Sequence, residues 1–464
     1  MRTPPLASGP HGPDALRPLL DTVLDALRTG TRARGGPLPA GGPDATAARL
    51  RDAVGDVLPQ HGEPDALRHL VHALAEGAAD PAHPLCTAHL HGPPLAVATA
   101  ADLATSALNP SLDSWDQAPA ASELERLVTR ALAHEAGHAD ALVTTGGTEA
   151  NQLALLLARE THPRRTVRLV HGANAHHSLP RAAWLLGLPE PVAIPTPTGT
   201  LDPTALDDTL TAHPGPHLVA ATAGTTDAGL IDPLPAIAAR CRAHGARLHI
   251  DAAYGGPLLF SDQHRHLLTG LDSAHTLALD LHKLGWQPIA AGLLTLKNPG
   301  DLTALHHRAD YLNPADDTEA GLPDLLGRSP RTSRRPDILK IAVTLKTLGR
   351  TGLGALIDQV CARAHDFAAL VDAHPALELH APPTISTVLF RPTGAPDTTV
   401  AALRRQLITD GHAVLGRARP AHGRLWLKAT FLNPHTGPDD LAALLQLVEA
   451  TLVEATPEKG TTPR

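Results

Sequence analysis

Two periodicities alternate along this chain, and their order outlines its architecture. Over residues 1 to about 80 helical patterns alternate with Pro/Gly breaks. Leu16, Leu19, Leu20, Val23, Leu24 and Leu27 share one face of DALRPLLDTVLDALRTG, and PDALRHLVHALAEGAAD repeats the habit. Such amphipathic helices need a covering surface, from the rest of the chain or from a second subunit. A loop broken by Pro and Gly follows. From Ser122 onward Leu124, Leu127, Val128, Ala131 and Leu132 make another helix face.

From Ala141 to about Leu296 short apolar runs alternate with helical patterns. The runs are ALVT, TVRLV, PVAIP, HLVAAT, RLHI and TLAL, most of them separated by helix-length connections. This alternation predicts an α/β architecture, a mainly parallel sheet with helices on both faces. Ligands of such sheets lie beyond the C-terminal strand ends. After Lys340 the pattern changes. A helical run, ILKIAVTLKTLGRTGLGALIDQVCARAHDFAALVDA, leads into the strand-like TISTVLFRP and RLWLKATFLNP. A last helix presents Leu441, Leu444, Leu445, Val448 and Leu452 on one face, which completes a small α+β domain. The tail from Pro457 is polar and is expected to fray.

Composition narrows the class. A chain of 464 residues is too long for one core and should hold about two to four domains. Hydrophobic residues at 43% and charged residues at 19% suit a globular protein. Only 2% of residues are aromatic and there is a single Met, which with abundant Ala, Pro, Arg, Thr and Gly reads as genomic drift. The net charge of −8 and the lack of a basic stripe argue against nucleic-acid or membrane partners. Cys86, Cys241 and Cys361 are far apart and show no metal spacing, as expected of unpaired thiols in a reducing, cytoplasmic setting. No signal-peptide core and no stretch of about 18 apolar residues occurs. The 29 histidines are mostly single and beside Pro, Gly or Ala, so no metal site is expected.

Chemistry concentrates where apolar runs end. LHIDAAYGG carries Asp251 at one such end, and TLALDLHK places His282 and Lys283 at another. A buried acid and a lysine so placed are what a pyridoxal phosphate enzyme requires. The lysine forms a Schiff base, and the acid keeps the pyridine nitrogen protonated so that the ring accepts electrons. In TTGGTEANQLALLLARE two glycines and Thr148 precede a helix, so backbone N–H groups and a hydroxyl can face an anion at its positive end. These residues read equally as an ordinary glycine turn with a Thr cap. HGANAHHSLPRAAW and ATAGTTDAGL read by themselves as a histidine-bearing loop and a turn with hydroxyl hydrogen bonds.

Taken together and in this order, the motifs resemble the group II pyridoxal-phosphate-dependent amino acid decarboxylases, over roughly residues 80 to 440. NPSLDSWDQAPAASELE and the YLNP context of Tyr311 are similar to the L-2,4-diaminobutyrate decarboxylase-like branch. The resemblance implies the fold type I architecture of aspartate aminotransferase, with a seven-stranded sheet. It divides the chain into an N-terminal helical segment (1–80) packing on a dimer partner, a large cofactor domain (81–345), a small C-terminal α+β domain (346–456) and a tail (457–464). It implies that pyridoxal 5'-phosphate is held by Gly147 and Thr148 at its phosphate, His176 stacked on its ring and Thr226 near the ring substituents. Asp251 would lie against the ring nitrogen, with Ala253 small enough for the ring to lie flat. Lys283 would carry the covalent link, and His282 would contact the phosphate or move a proton. Lys283, His282, His176 and Asp251 are thus the expected catalytic residues, in a homodimer with shared active sites.

The implied reaction is decarboxylation of a small L-amino acid to its amine and CO2. Scarce aromatics favour an aliphatic or basic substrate such as 2,4-diaminobutyrate. Asp113, Asp116 and Asp324 could receive a distal ammonium, or are solvated loop carboxylates. The segment between Arg308 and Arg335 matches a lid that carries a proton-donating Tyr in aromatic amino acid decarboxylases. This lid has none, and Tyr311 lies too early to serve. Relatives lacking that Tyr include oxygen-dependent decarboxylative deaminases that form aldehydes, which is the alternative activity. Retention of both Asp251 and Lys283 speaks against a catalytically silent scaffold. Ala274-His275-Thr276, Leu281 and Pro336 also depart from the family pattern without removing a reacting group.

Overall fold

The short apolar runs become strands, most of them buried on both sides; the edge run at Val192–Ile194, with Ala193 exposed, is the exception. A computed structural model of the chain describes residues 3–162, 166–420 and 423–455; the polar tail from Pro457 lies outside them. Seven strands, β1 (Asp140–Thr144), β2 (Arg168–Gly172), β3 (Val192–Ile194), β4 (His217–Thr222), β5 (Arg247–Asp251), β6 (Thr276–Asp280) and β7 (Gly292–Leu296), form one sheet in the order β1-β7-β6-β5-β4-β2-β3. The β3–β2–β4–β5–β6 neighbours are parallel, and β7 runs antiparallel between β6 and β1. Every residue of β1, β4, β6 and β7 is buried, as expected of strands covered on both faces. The fold is therefore the mainly parallel α/β sheet expected from the alternation, with the seven strands that the resemblance implied. The sequence pattern gave no separate signal for β7. Residues 281–291 join it to β6 without an intervening helix.

The helix Gly147–Glu160 fixes the centre of this unit. Leu153 and Leu157 pack with Leu142, Leu294 and Leu296, while Leu155 and Ala158 pack with Leu169, Leu179 and Leu218. Apolar residues point in two directions from this helix, so it is held against strands on both sides of its axis rather than along one stripe.

Residues 94–361 make one compact unit, and residues 3–93, 362–419 and 423–455 make the other. The second unit holds a four-stranded antiparallel sheet, β8 (Leu377–Leu379), β9 (Thr387–Pro392), β10 (Gly416–Ala418) and β11 (Trp426–Thr430), in the order β10-β11-β9-β8. The expected strands are β9 and β11; β8 and β10, three residues each, are too short to show a period. The helical run 338–372 is broken at Gly349, whose φ of +62° is not helical. Phe367 is fully buried in the core of this unit, edge-on to Phe390 at 5.3 Å and tilted against Phe431 at 5.1 Å.

The N-terminal helices Gly12–Arg34 and Ala66–Gly77 meet through small residues. A Cβ on Gly30 would stand 2.4 Å from the carbonyl of His72, and Ala26 and Ala75 are buried beside it. The leucine stripe is turned elsewhere. Leu24 and Leu74 are 57% and 67% exposed, and Leu19, Leu27 and Leu70 are also exposed. Phe367→Ala should lower the stability of the C-terminal unit by about 3–5 kcal/mol, measured as the shift of its denaturant midpoint.

Candidate active site

Two carboxylates end neighbouring strands on the same side of the sheet. Asp251 closes β5 opposite Ala278 of β6, and Asp280 closes β6 two residues further on. With a strand period of two, both side chains project toward the same face. The turn after β6 brings His282 and Lys283 back over that face. Lys283 Nζ lies 3.0 Å from Asp280 Oδ2, and His282 Nε2 lies 3.6 Å from the same oxygen.

The glycine turn before the helix Gly147–Glu160 meets this cluster closely. A Cβ on Gly147 would stand 2.9 Å from Ala253 Cβ and 3.3 Å from Asp280 Oδ2. Gly146, at φ +151°, would place a Cβ 3.0 Å from His282 Cε1. Any side chain at either position would fill the space between helix start, strand end and lysine. The cradle is thus shaped by glycine, and the helix N-terminus that opens onto it suits an anion such as a phosphate. Gly147, Ala253, Asp280, His282 and Lys283 are brought together here. Thr148 is exposed in the first turn of the helix.

Asp251 is held by a directional chain of hydrogen bonds. It is 6% exposed, and Asn151 Nδ2 donates to its Oδ2 at 2.8 Å, while the Ala253 N–H donates to Oδ1 at 3.1 Å. The same Asn151 nitrogen donates to Ser178 Oγ at 2.9 Å, and Ser178 Oγ meets His176 Nδ1 at 2.8 Å. Asn151 Oδ1 lies 2.8 Å from His249 Nε2, whose other ring nitrogen meets Thr276 Oγ1 at 2.9 Å. Since Asn151 Oδ1 can only accept, His249 carries its proton on Nε2 and accepts from Thr276. The Ser178 backbone N–H donates to His176 Nδ1 at 3.3 Å, so this nitrogen is an acceptor, takes the Ser178 hydroxyl proton as well, and leaves the His176 proton on Nε2. Burial lowers the pKa of both rings. His249 falls to about 4, and His176 is lowered by burial against the opposing pull of Asp251.

His176 is half-buried within this network and His177 beside it is exposed, with ring centroids 4.1 Å apart. Gly224 turns the chain at φ +103° after β4, where a Cβ would stand 2.8 Å from Gly255 N. Thr225 is buried and its Oγ1 accepts from Leu230 N at 3.0 Å, whereas Thr226 is exposed. Asn151, His249 and Asp280 are the residues that the motif reading missed. Strand alternation could have found His249, two residues before Asp251 on the same face, and helix period could have found Asn151, four after Gly147. Asp280 stands one turn before Lys283.

The segment 309–334 holds a short helix, Ala315–Glu319, and Tyr311 in it is 82% exposed. Its basic end forms ion pairs rather than an open surface. Arg328 spans both oxygens of Asp140, Arg331 Nε lies 3.0 Å from Glu149, and Arg334 spans both oxygens of Glu125. Asp324 Oδ1 accepts from Leu326 N at 2.9 Å and so caps a turn, and Asp116 is exposed. Asp113 is 8% exposed, and its Oδ1 has no hydrogen-bond partner among the described residues. No helix among the described residues is long and apolar enough to cross a membrane.

A parallel sheet with a lysine beyond one strand, a carboxylate ending the next and a glycine-shaped anion cradle is the arrangement of a pyridoxal phosphate enzyme. Residues 50–393 match the pyridoxal-dependent decarboxylase conserved domain, and the chain belongs to that family. It is 40% identical over 403 residues to an L-2,4-diaminobutyrate decarboxylase of Rhizobium meliloti, covering 83% of this chain and 80% of that protein. An L-2,4-diaminobutyrate decarboxylase of Acinetobacter baumannii is 32% identical over 408 residues, covering 79% and 80%. A crystal structure of the glutamate decarboxylase domain of diaminobutyrate-pyruvate transaminase and L-2,4-diaminobutyrate decarboxylase from Vibrio parahaemolyticus superposes with a TM-score of 0.84. It is 29% identical and covers 97% of this chain and 98% of that one. The protein is a pyridoxal 5'-phosphate-dependent carboxy-lyase acting on an L-amino acid.

The buried histidines give the fold an acid limit. Burial lowers His249 and His138 to about 4 from 6.5, so between these values the unfolded chain binds protons that the folded chain does not. Their contribution is complete above pH 6.5 and is lost as pH falls toward 4. The unfolding midpoint should drop across that window, and His138→Gln, outside the Asp251 network, should reduce the slope by about one proton.

Proposed function

We propose that the enzyme decarboxylates L-2,4-diaminobutyrate, or a closely similar basic L-amino acid, to the corresponding amine and CO2. The observation that carries the substrate is the 40% identity to an L-2,4-diaminobutyrate decarboxylase across most of both chains. A buried Asp113, one of whose oxygens has no hydrogen-bond partner among the described residues, supports recognition of a distal ammonium more than the other two candidate carboxylates do. Asp116 is exposed, and Asp324 already serves as a cap.

When bound, pyridoxal 5'-phosphate supplies an electron sink for the pair released as the Cα–carboxylate bond breaks. The protein supplies orientation and charge. Gly147 and Thr148 bind the phosphate at the helix N-terminus, with His282 as a further phosphate contact or proton carrier. Asp251, with an N–H donor on each of its oxygens, would lie against the ring nitrogen. His176, oriented through Ser178, would lie over the ring, Ala253 would leave room for it and Thr226 would stand near its substituents. Lys283 would be the residue that holds the cofactor covalently.

The exposed leucines of the helices Gly12–Arg34 and Ala66–Gly77 support a homodimer in which segment 1–80 covers the partner. The lid and residues near 85–120 would then be shared between active sites. The large domain at 81–345, the small domain at 346–456 and a cytoplasmic setting complete the reading. Three unpaired cysteines support the last of these.

Lys283→Ala should abolish CO2 release and the visible absorbance band that borohydride bleaches in the wild type. Asp251→Asn should retain bound cofactor and lose about 10²-fold or more in CO2 release; wild-type turnover would remove Asp251 from this role. In a panel of basic, acidic and aromatic L-amino acids, diaminobutyrate should release CO2 fastest, with amine formed and no oxygen consumed. Oxygen uptake with aldehyde formation would instead establish the decarboxylative deaminase.

A further inference from the structure

Asp280 is a second carboxylate in this site, and its surroundings differ from those of Asp251. Its side chain is 2% exposed, Oδ2 is in an ion pair with Lys283 Nζ at 3.0 Å, and Oδ1 has no hydrogen-bond partner among the described residues. No backbone N–H holds it in its ionised form. It also borders the glycine cradle, since a Cβ on Gly147 or Gly146 would stand 3.3 Å from Oδ2 or 3.8 Å from Oδ1. The charged and titratable groups around it are Lys283 and His282 after β6, Asp251 on β5 and His176 after β2. Glu149 lies in the first turn of the facing helix.

Two requirements meet at this carboxylate. A lysine held as an ammonium cannot attack an aldehyde until it loses a proton, and a charged carboxylate opposes a phosphate dianion bound against it. A single proton transfer satisfies both. We propose that Asp280 is the proton acceptor for Lys283 during cofactor loading, and that its neutralisation in that step admits the phosphate to the glycine cradle. This rests on the reading that Gly147 and Thr148 take the phosphate and Lys283 the covalent link.

Lys283 cedes one ammonium proton to Asp280 Oδ2, and its freed lone pair forms the C–N bond to the aldehyde carbon. The two remaining amine protons leave with the aldehyde oxygen as water. Lysine and carboxylate thus pass from an ion pair to two uncharged groups as the dianion arrives. Before loading, the same ion pair holds Nζ in place, so Asp280 is both a positioning residue and a base for this step.

The isosteric Asp280→Asn variant separates this role from a structural one, because the two expected effects have opposite signs. Pyridoxine 5'-phosphate carries the phosphate but no aldehyde, and its binding to cofactor-free enzyme reads the cradle alone. Its affinity should rise by on the order of tenfold in the variant, since the opposing charge is gone. Covalent loading of pyridoxal 5'-phosphate, followed by absorbance in a stopped flow, should slow by on the order of 10²-fold because the base is lost. A variant that is merely misfolded would weaken the first and slow the second together, with a lowered unfolding midpoint. Unchanged loading, or weaker analogue binding in a variant with the wild-type unfolding midpoint, overturns the role of Asp280 and leaves the cofactor site standing. Failure of the wild type to bind the analogue and to load the cofactor would overturn the site itself.

Discussion

One amide group decides how the middle of this site is assembled. Asn151 gives both Nδ2 hydrogens away, to Asp251 and to Ser178, and receives the His249 proton at Oδ1. Helix, strand and the loop after β2 are therefore tied at a single buried residue. A carboxylate taken out of water is tolerable only when donors meet it, and here one donor comes from a side chain and one from the backbone of Ala253. The direction of the chain matters as much as its strength. Because Asn151 spends its donors on Asp251 and Ser178, its Oδ1 is left to accept and the tautomer of His249 follows, while the Ser178 N–H sets that of His176. Rotating the amide would face an N–H toward His249 and leave Asp251 with an oxygen opposite it.

The two strand-end carboxylates use their burial differently. Asp251 is satisfied by neutral N–H donors, which favour the charged form whatever the state of the rest of the site. Asp280 is paired with Lys283 at 3.0 Å and has His282 at 3.6 Å, and in the proposed reading Lys283 is the residue that becomes a nucleophile. Removing one charge from a buried pair strands the other, at a cost far above that of an exposed pair. The cost is avoided when the proton moves between the partners. The register of β5 and β6 brings this about, since a carboxylate two residues beyond the Asp251 level lies under the returning His282–Lys283 turn rather than against the Asn151 amide.

Much of this was legible in the sequence. The strands β1 to β6 and the place of the site beyond their C-terminal ends follow from alternation and from where Asp251 and Lys283 fall. The motifs around Gly147, His176 and Lys283 carried the family. What periodicity leaves out is physical in origin. A strand of three residues such as β8 has no period, and β7 is reached by a turn rather than a helix. Asn151 looks like one polar position in a helix until His249 and Asp251 are seen on the strand it covers. The Arg328–Arg335 run reads as a patch of positive charge, but three of its arginines are engaged with Asp140, Glu149 and Glu125, which are remote in sequence.

That basic run also ties down one end of the segment 309–334. Arg334 and Glu125 are both buried and bidentate, so this end of the segment is fixed to the helix Pro119–Glu135. Arg328 is fixed in the same way to Asp140 at the start of β1. Between them Arg331 reaches Glu149, whose other oxygen accepts from the Thr145 N–H at 2.6 Å in the turn that leads into the glycine cradle. Glu149 thus has one oxygen on the turn before the glycine cradle and one beside the basic end of the segment, so a single carboxylate links the two. N-terminal to the first clamp Leu325 packs with Leu112 and Ala118, while further back Tyr311 stands in solvent and the short helix Ala315–Glu319 has no buried residue.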